Sequence, residues 1–173
     1  TAKAGQKCTA IRRVIVPEAL KEPVITALSN RLSEKVTVGA SDAEGTTMGA
    51  LASKDQQRDV SDATQQLINA GGKVRLGGPD KISNYDDAGS FFPPTILEFD
   101  DADTDAVHSV EAFGPVTSVI SYDGTAGEAT RLAARGAGSL VATVCSNDPA
   151  FVTDATLGIA SHHGRLHVLN RQT

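Results

Sequence analysis

A cysteine near the start of the chain stands in the segment GQKCT at positions 5–9. Because it follows a tight glycine turn, we predict that Cys8 lies in the first turn of a short helix. There the unpaired N–H groups and the helix dipole stabilise a thiolate, and Arg12 and Arg13 add positive charge nearby. Such a thiolate attacks a carbonyl carbon, and its own backbone N–H stabilises the resulting oxyanion. By composition alone, a small buried hydrophobic side chain is the favoured interpretation of Cys8.

Other side chains with chemical potential occur in patterns that match no standard metal site. The acidic segment 101–105 opens with the spacing of a calcium loop, but Ala106 and Ala112 replace the glycine and the closing glutamate of that loop. We interpret the segment as a solvated acidic turn. His162 and His163 are neighbours at a predicted helix end, so they point in different directions and form no chelating pair. The sequence therefore predicts no metal site.

Strands and helices that position these residues alternate along the chain. Apolar, β-branched stretches predict strands at 13–16, 73–76, 95–99, 116–122, 139–145 and 165–169. Apolar periodicity predicts helices at 18–35, 53–70, 125–136 and 148–163, with a short helical turn near 106. This order is typical of right-handed βαβ crossovers. We predict an α/β fold with a largely parallel sheet and helices on both faces, in which Cys145 belongs to the core.

Several helix ends are marked by local signals. Ser53 with Gln56, and Thr125 with Glu128, match the capping box that satisfies orphan N–H groups at a helix start. Asp148 precedes a proline at the start of the predicted helix 148–163. Glycines at positions 71, 136 and 164 predict the ends of the last three of these helices.

Composition excludes several classes of protein. The 173 residues fit one domain, and the formal net charge of −5 with scattered basic residues offers no positive stripe for nucleic acid. No apolar run reaches the roughly 18 residues that span a bilayer. Two cysteines in a chain of this size do not resemble a disulfide framework. We therefore expect a cytoplasmic protein with reduced thiols and with neither a membrane nor a nucleic acid as partner.

Five segments resemble the aldehyde dehydrogenase superfamily. The segment GQKCTAIRR at 5–13 is similar to the active-site cysteine segment of that family, and VEAFGPV at 110–116 resembles its second signature. Three further matches follow in the family's order and spacing: MGAL at 48–51, FPPTIL at 92–97 and GRLHVLN at 164–170. The branch with the greatest similarity is the phenylacetate-degradation enzyme that joins an aldehyde dehydrogenase to an enoyl-CoA hydratase-like domain.

This resemblance implies an aldehyde dehydrogenase catalytic domain and a role for three residues. Cys8 forms a thiohemiacetal with an aldehyde, a hydride passes to NAD or NADP, and water hydrolyses the remaining thioester. Glu111 binds the hydroxyls of the nicotinamide ribose, which suits a carboxylate, and Phe113 positions the same part of the cofactor. Many relatives carry a second acid where Val110 stands. The implied substrate is a CoA-linked semialdehyde of aromatic-acid catabolism, and the implied assembly is a homo-oligomer.

The same resemblance implies that residues 1–173 are the cysteine-bearing catalytic domain alone. In the family, the general-base glutamate, the oxyanion-hole asparagine and the cofactor-binding domain precede the cysteine, and none maps onto this chain. We expect the fragment to be inactive by itself, since water activation is lost. The resemblance also allows a hydratase domain to follow residue 173. Two alternatives stay open: a cysteine hydrolase that uses His108, His162 or His167 as base, and a non-catalytic folding or interaction module.

Overall fold

Strands and helices alternate in the computed structural model, which describes residues 1–171. The strands are β1 (Arg13–Pro17), β2 (Lys73–Leu76), β3 (Thr95–Glu98), β4 (Val116–Tyr122), β5 (Ser139–Cys145) and β6 (His163–Leu169). The α-helices are α1 (Lys21–Lys35), α2 (Lys54–Asn69), α3 (Asp105–Ser109), α4 (Ala126–Ala134) and α5 (Pro149–Ile159). Short 3-10 turns occupy Glu18–Leu20, Pro79–Asn84 and Ala160–His162, and a turn with left-handed backbone angles at Lys3 and Ala4 occupies Ala2–Gly5. Each predicted strand and each of the four predicted long helices is present, with ends that differ by a few residues.

Four of the strands form one mixed sheet in the order β1-β4-β3-β2. β4 lies between β1 and β3 and is parallel to both, whereas β2 is antiparallel to β3 at the far edge. The central strands are buried on both faces, and Ile96, Leu97, Val119 and Ile120 have no exposed surface. Because successive side chains of a strand point to opposite faces, this sheet requires cover on both sides.

Helices supply that cover on the two faces. On one face Ile25 of α1 packs with Ile96 and Val119. On the other, Val60 of α2 and Leu132 of α4 belong to the cluster that contains Leu97 and Ile120, together with Val107 of α3. This arrangement confirms the predicted α/β fold with a largely parallel sheet and helices on both faces. No helix within residues 1–171 is long and apolar enough to cross a membrane.

A separate two-stranded parallel sheet, β5 with β6, departs from the single sheet that we predicted. Its strands pack on α5 through Val144, Ala155 and Ile159. Gly164 does not end a helix as predicted, because α5 stops at Ile159 and Gly164 lies within β6. The prediction that Cys145 belongs to the core was also wrong, since it is exposed. An apolar strand at the margin of a small sheet has too little protein around it to bury every side chain.

The helix starts were read correctly from the sequence, but the Gln56 and Glu128 side chains bond elsewhere and do not close the predicted capping boxes. The Ser53 hydroxyl accepts a hydrogen bond from the Gln56 N–H at 3.1 Å, and the Thr125 hydroxyl accepts one from the Glu128 N–H at 3.2 Å. Asp148 accepts from the Ala150 N–H at 2.9 Å. These bonds satisfy donors that lack a partner inside the helix. They mark the starts of α2, α4 and α5.

Candidate active site

Cys8 lies in a tight turn, and not at the head of a helix as we predicted. The Ala10 N–H donates to the Lys7 carbonyl at 2.9 Å, which places Cys8 and Thr9 at the two central positions of a β-turn. Cys8 is exposed. No hydrogen bond described for residues 1–171 uses its backbone N–H. The helix dipole is therefore absent, but an exposed sulfur and an available backbone donor remain.

Gly5 brings the turn into contact with the segment that bears Glu111 and Phe113. Gly5 is buried, with φ at +74°, and a Cβ built on it would lie 2.2 Å from the Gly114 carbonyl oxygen. Only glycine adopts this conformation and this approach without strain. The two segments that resemble family signatures are thus in direct backbone contact, although 109 positions separate Gly5 from Gly114 in the sequence.

Gln6 anchors the same turn to the start of α2, and sequence reasoning gave it no role. Its amide nitrogen donates to Gln56 Oε1 at 3.0 Å, and its amide oxygen accepts from the Ala52 N–H at 2.8 Å. Both polar ends of the side chain are satisfied, which restricts its rotation. Its partners lie about 50 residues along the chain, so only a family alignment could have indicated this residue.

The segment with Glu111 and Phe113 runs from the end of α3 to the start of β4. Glu111 is exposed, and Phe113 is 42% exposed with φ at +49°. A bulky side chain at positive φ is a genuine conformational outlier, and such strain is concentrated at functional sites. Gly114 is buried against Val60, whose Cγ1 would lie 2.6 Å from a Cβ at that position. Firm packing at Gly114 thus holds the neighbouring aromatic ring at the surface.

One cleft separates the two segments. Gly5, Lys7 and Arg12 line one side of it, and Glu111, Ala112 and Phe113 line the other. Its enclosed volume is about 20 Å³, which is room for roughly one water molecule. The structure therefore brings residues on both sides of Cys8 to the same cleft as Glu111 and Phe113, whereas Cys8 itself is exposed and is not among the lining residues.

Arg13 and His108 meet behind this cleft. Arg13 donates to the carbonyls of Leu132 and Ala133 at 2.9 Å each, at the end of α4, and approaches His108 Nδ1 at 2.7 Å. Burial lowers the pKa of Arg13 to about 10, helped by the charges of Arg12 and Arg135. The guanidinium thus stays charged at neutral pH and stabilises the helix C-terminus.

His108 is 3% exposed, and burial lowers its pKa below the ordinary value of 6.5. The hydrogen bond to the Ala102 carbonyl raises the pKa against this effect, the charges of Arg13 and Arg135 lower it further, and the charge of Asp103 opposes them least. The unfolded chain therefore binds a proton that the folded chain rejects. The contribution of His108 to stability is complete above about pH 6.5 and is lost as the pH falls through that value towards the lower pKa of the folded state.

We expect His108→Gln to flatten this part of the stability profile. Below pH 6.5 the free energy of unfolding of the wild type should fall more steeply than that of the variant, by up to about 1.4 kcal/mol per pH unit. Urea unfolding between pH 5 and 8 measures both curves. Parallel curves over this range would show that His108 does not titrate as the structure predicts.

The acidic residues Asp103 and Asp105, in the segment with the spacing of a calcium loop, form hydrogen bonds and ion pairs with arginines. Asp103 accepts hydrogen bonds from Arg131 and Arg135, which lower its pKa, and Asp105 pairs with Arg135 at 2.5 Å. Within residues 1–171 no group of three or more His, Cys, Asp or Glu side chains could hold a metal ion. The hydrogen bonds described there also join no histidine to Cys8. Asp103 and Asp105 are therefore engaged in ion pairs with arginines, and no hydrogen bond described within residues 1–171 supplies the base that a cysteine hydrolase requires.

Comparison with known proteins identifies the family. The model of the aldehyde dehydrogenase family matches residues 1–168. The chain belongs to the aldehyde dehydrogenase family. Among the curated relatives of this aldehyde dehydrogenase chain is 3,4-dehydroadipyl-CoA semialdehyde dehydrogenase of Aromatoleum evansii, which is 39% identical over 173 residues. Another is the MaoC protein of Klebsiella aerogenes, which is 42% identical over 124 residues.

Solved aldehyde dehydrogenases share the fold. Betaine aldehyde dehydrogenase from Staphylococcus aureus, solved with NAD+, superposes with a TM-score of 0.80 at 27% identity over 96% of this chain. Aldehyde dehydrogenase C from Pseudomonas syringae, solved as a cysteine-to-alanine mutant with NAD+ and octanal, gives a TM-score of 0.83 at 27% identity over 95% of it. The aldehyde dehydrogenase chain spans about a third of its relatives: 33% of the Aromatoleum protein, 36% of the Klebsiella protein, and 32% and 33% of the two solved chains.

Proposed function

We propose that this chain is the cysteine-bearing catalytic domain of an NAD(P)-dependent enzyme that oxidises an aldehyde to a carboxylate. The observation that carries the proposal is the shared cleft, where the segment around Cys8 faces Glu111 and Phe113. Its support is the family match over residues 1–168 and the solved relatives that bind NAD+.

Cys8 is the proposed nucleophile. Its sulfur, as thiolate, adds to the aldehyde carbon, and the carbonyl oxygen becomes an oxyanion that the Cys8 N–H can stabilise. Loss of a hydride from the same carbon leaves a thioester on Cys8. Attack by water then releases the carboxylate and returns the thiolate. The exposed sulfur and the available backbone donor are the two features of the turn that this sequence of steps requires.

Glu111 and Phe113 are the proposed contacts for the cofactor. An exposed carboxylate is suited to accept hydrogen bonds from two ribose hydroxyls, and the exposed ring of Phe113 is suited to stack against a flat heterocycle. When bound, the nicotinamide supplies the acceptor for the hydride. These residue types therefore fit the group, and they would hold it on the side of the cleft that faces the Cys8 turn.

We further propose that turnover needs more than residues 1–173. A thiolate without a general base forms an acyl-enzyme and releases it slowly, and no described residue hydrogen bonds to Cys8 as a base within the range 1–171. The substrate class that we propose is a CoA-linked semialdehyde of aromatic-acid catabolism, which is supported by the Aromatoleum relative. Assays should compare this chain alone with a polypeptide that also carries the cofactor-binding domain.

The experiment that tests this assignment is Glu111→Gln in the polypeptide that carries both domains. Removal of the charge weakens two charge-assisted hydrogen bonds, so we expect the KM for the nicotinamide cofactor to rise about tenfold or more. Formation of the reduced nicotinamide is followed by absorbance at saturating aldehyde. Glu34→Gln is the matched control, because Glu34 is exposed on α1. Equal KM values in wild type and Glu111→Gln would contradict the role of Glu111.

A further inference from the structure

The contact between Arg13 and His108 links the segment that follows the Cys8 turn to the segment that precedes Glu111. Arg13 follows Cys8 by five positions at the start of β1, and His108 precedes Glu111 by three positions in α3. The two side chains lie 95 residues apart in sequence and 2.7 Å apart in space. The cleft itself has neither side chain in its lining, so any effect on chemistry passes through the segments that they hold.

The hydrogen-bond donors and acceptors around His108 fix its protonation state and its tautomer. A guanidinium carries only donors, so His108 Nδ1 must accept from Arg13. The proton of the neutral imidazole then resides on Nε2, which donates to the Ala102 carbonyl at 2.7 Å. Both ring nitrogens are engaged, and the ring is buried. His108 is therefore a rigid connector with one tautomer, and the Ala102 carbonyl fixes its orientation.

The described hydrogen-bond acceptors of Arg13 are all uncharged groups. No ion pair described within residues 1–171 includes Arg13; its three acceptors are two carbonyls of α4 and the imidazole. A planar fork can reach all three acceptors at once, whereas the single ammonium of lysine cannot reproduce that geometry. The arrangement thus fixes the direction in which β1 leaves the Cys8 turn.

From these contacts we propose that Arg13 and His108 form a positioning pair, which keeps the Cys8 turn in register with the Glu111–Phe113 segment. The proposal rests on the proposed function of those residues. The charged groups that face His108 are Arg13, Arg135 and Asp103. Protonation of His108 removes the acceptor for Arg13 and adds a cation beside two arginines, with only Asp103 opposing it. The pair therefore holds when His108 is neutral and separates when it is protonated.

Hydrogen exchange of the full chain, followed by mass spectrometry, tests the coupling without reference to activity. We expect His108→Ala to raise amide exchange in residues 1–12 about threefold or more, because the turn opens more often. His108→Gln keeps a donor and an acceptor and should remain close to wild type. His163→Ala is the matched control, since His163 bonds to the Ile159 carbonyl near α5. Increased exchange confined to residues 100–113 would overturn the proposal.

A second variant keeps the test decisive if His108→Ala does not fold. Arg13→Lys retains the charge but loses the fork, so exchange should rise in residues 105–113, on the opposite side of the contact. Unchanged amide exchange in residues 105–113 of Arg13→Lys would overturn the proposal that the two residues act as a pair. In the two-domain polypeptide, kcat should fall about tenfold to a hundredfold in His108→Ala, because small displacements at a reacting centre cost that much. A lower melting temperature with wild-type kcat would reduce His108 to a structural residue.

The two proposals fail in different ways. A wild-type polypeptide with both domains that oxidises no aldehyde would refute the proposed function, yet the exchange results would still decide whether the two segments are coupled. The pair is supported as a positioning device if His108→Gln retains activity while the activity of His108→Ala falls below the level that the wild type shows at the acid end of its pH profile. Equal kcat and equal pH profiles in wild type and both His108 variants would refute it.

Discussion

Replacement of Cys8 by alanine should abolish aldehyde oxidation, with a fall in kcat of about 10⁴-fold or more. The size follows from the proposed chemistry, because every bond change passes through a covalent link to this sulfur, and deletion of a covalent nucleophile has effects of that order. Initial rates in the two-domain polypeptide measure the loss. Acid-quenched samples examined by mass spectrometry should show an acyl adduct on the peptide with Cys8 in the wild type alone.

Cys145→Ala is the matched control for this prediction. Both thiols are exposed, so surface accessibility alone does not distinguish them, and labelling by a thiol reagent should reach both. Their surroundings differ, since Cys145 ends β5 in the second sheet, whereas residues on both sides of Cys8 line the cleft. Wild-type rates are expected for Cys145→Ala. If Cys8→Ala kept a tenth of the wild-type rate, Cys8 would not be the nucleophile.

Gly5→Ala should cause the largest loss of stability that a single methyl group produces near the site. The added Cβ would lie 2.2 Å from the Gly114 oxygen and 2.7 Å from the Pro115 nitrogen, and φ is +74°. Neighbouring backbone cannot rotate away as a side chain can. We expect the free energy of unfolding to fall by about 3 kcal/mol, from steric overlap together with the strain of positive φ. Displacement of the Cys8 turn should also lower activity.

Gly124→Ala separates the two causes of that loss. Gly124 also has positive φ, at +91°, but nothing lies within 4 Å of a Cβ built on it. Its substitution introduces conformational strain alone, for which we expect a loss of about 1 kcal/mol. Urea unfolding of the two variants, under identical conditions, gives the difference that is due to the contact with Gly114. Equal losses would mean that the two backbone segments do not touch in solution.

Prediction from the sequence was accurate where the determining interactions are local. The bonds made by Ser53, Thr125 and Asp148 span two or three residues, so the caps could be recognised from residue types. The helix that bears Cys8 was predicted wrongly for a related reason. A glycine followed by small residues favours several tight turns, and the contact with Gly114 selects among them.

Within α1 the sequence also left the buried face partly undetermined. The apolar stripe at positions 20, 24, 28 and 32 predicts the side that faces the sheet. In the structure Val24, Leu28 and Leu32 pack against the core, but Leu20 is 50% exposed and Ile25 is the most buried. Leu20 lies before α1, in a 3-10 turn that has a different periodicity. Periodicity gives the approximate face of a helix, and the neighbouring elements decide its rotation.

Residue order alone determined the alternation of strands and helices, their caps, and the family resemblance that singled out Cys8, Glu111 and Phe113, since each is encoded in short stretches of sequence. Only the tertiary structure decided that these stretches meet, that a second sheet stands apart, and that Gln6, Arg13 and His108 support the cleft. The physical reason is chain separation. Contacts between residues that are 50 or 95 positions apart depend on the packing of every element between them.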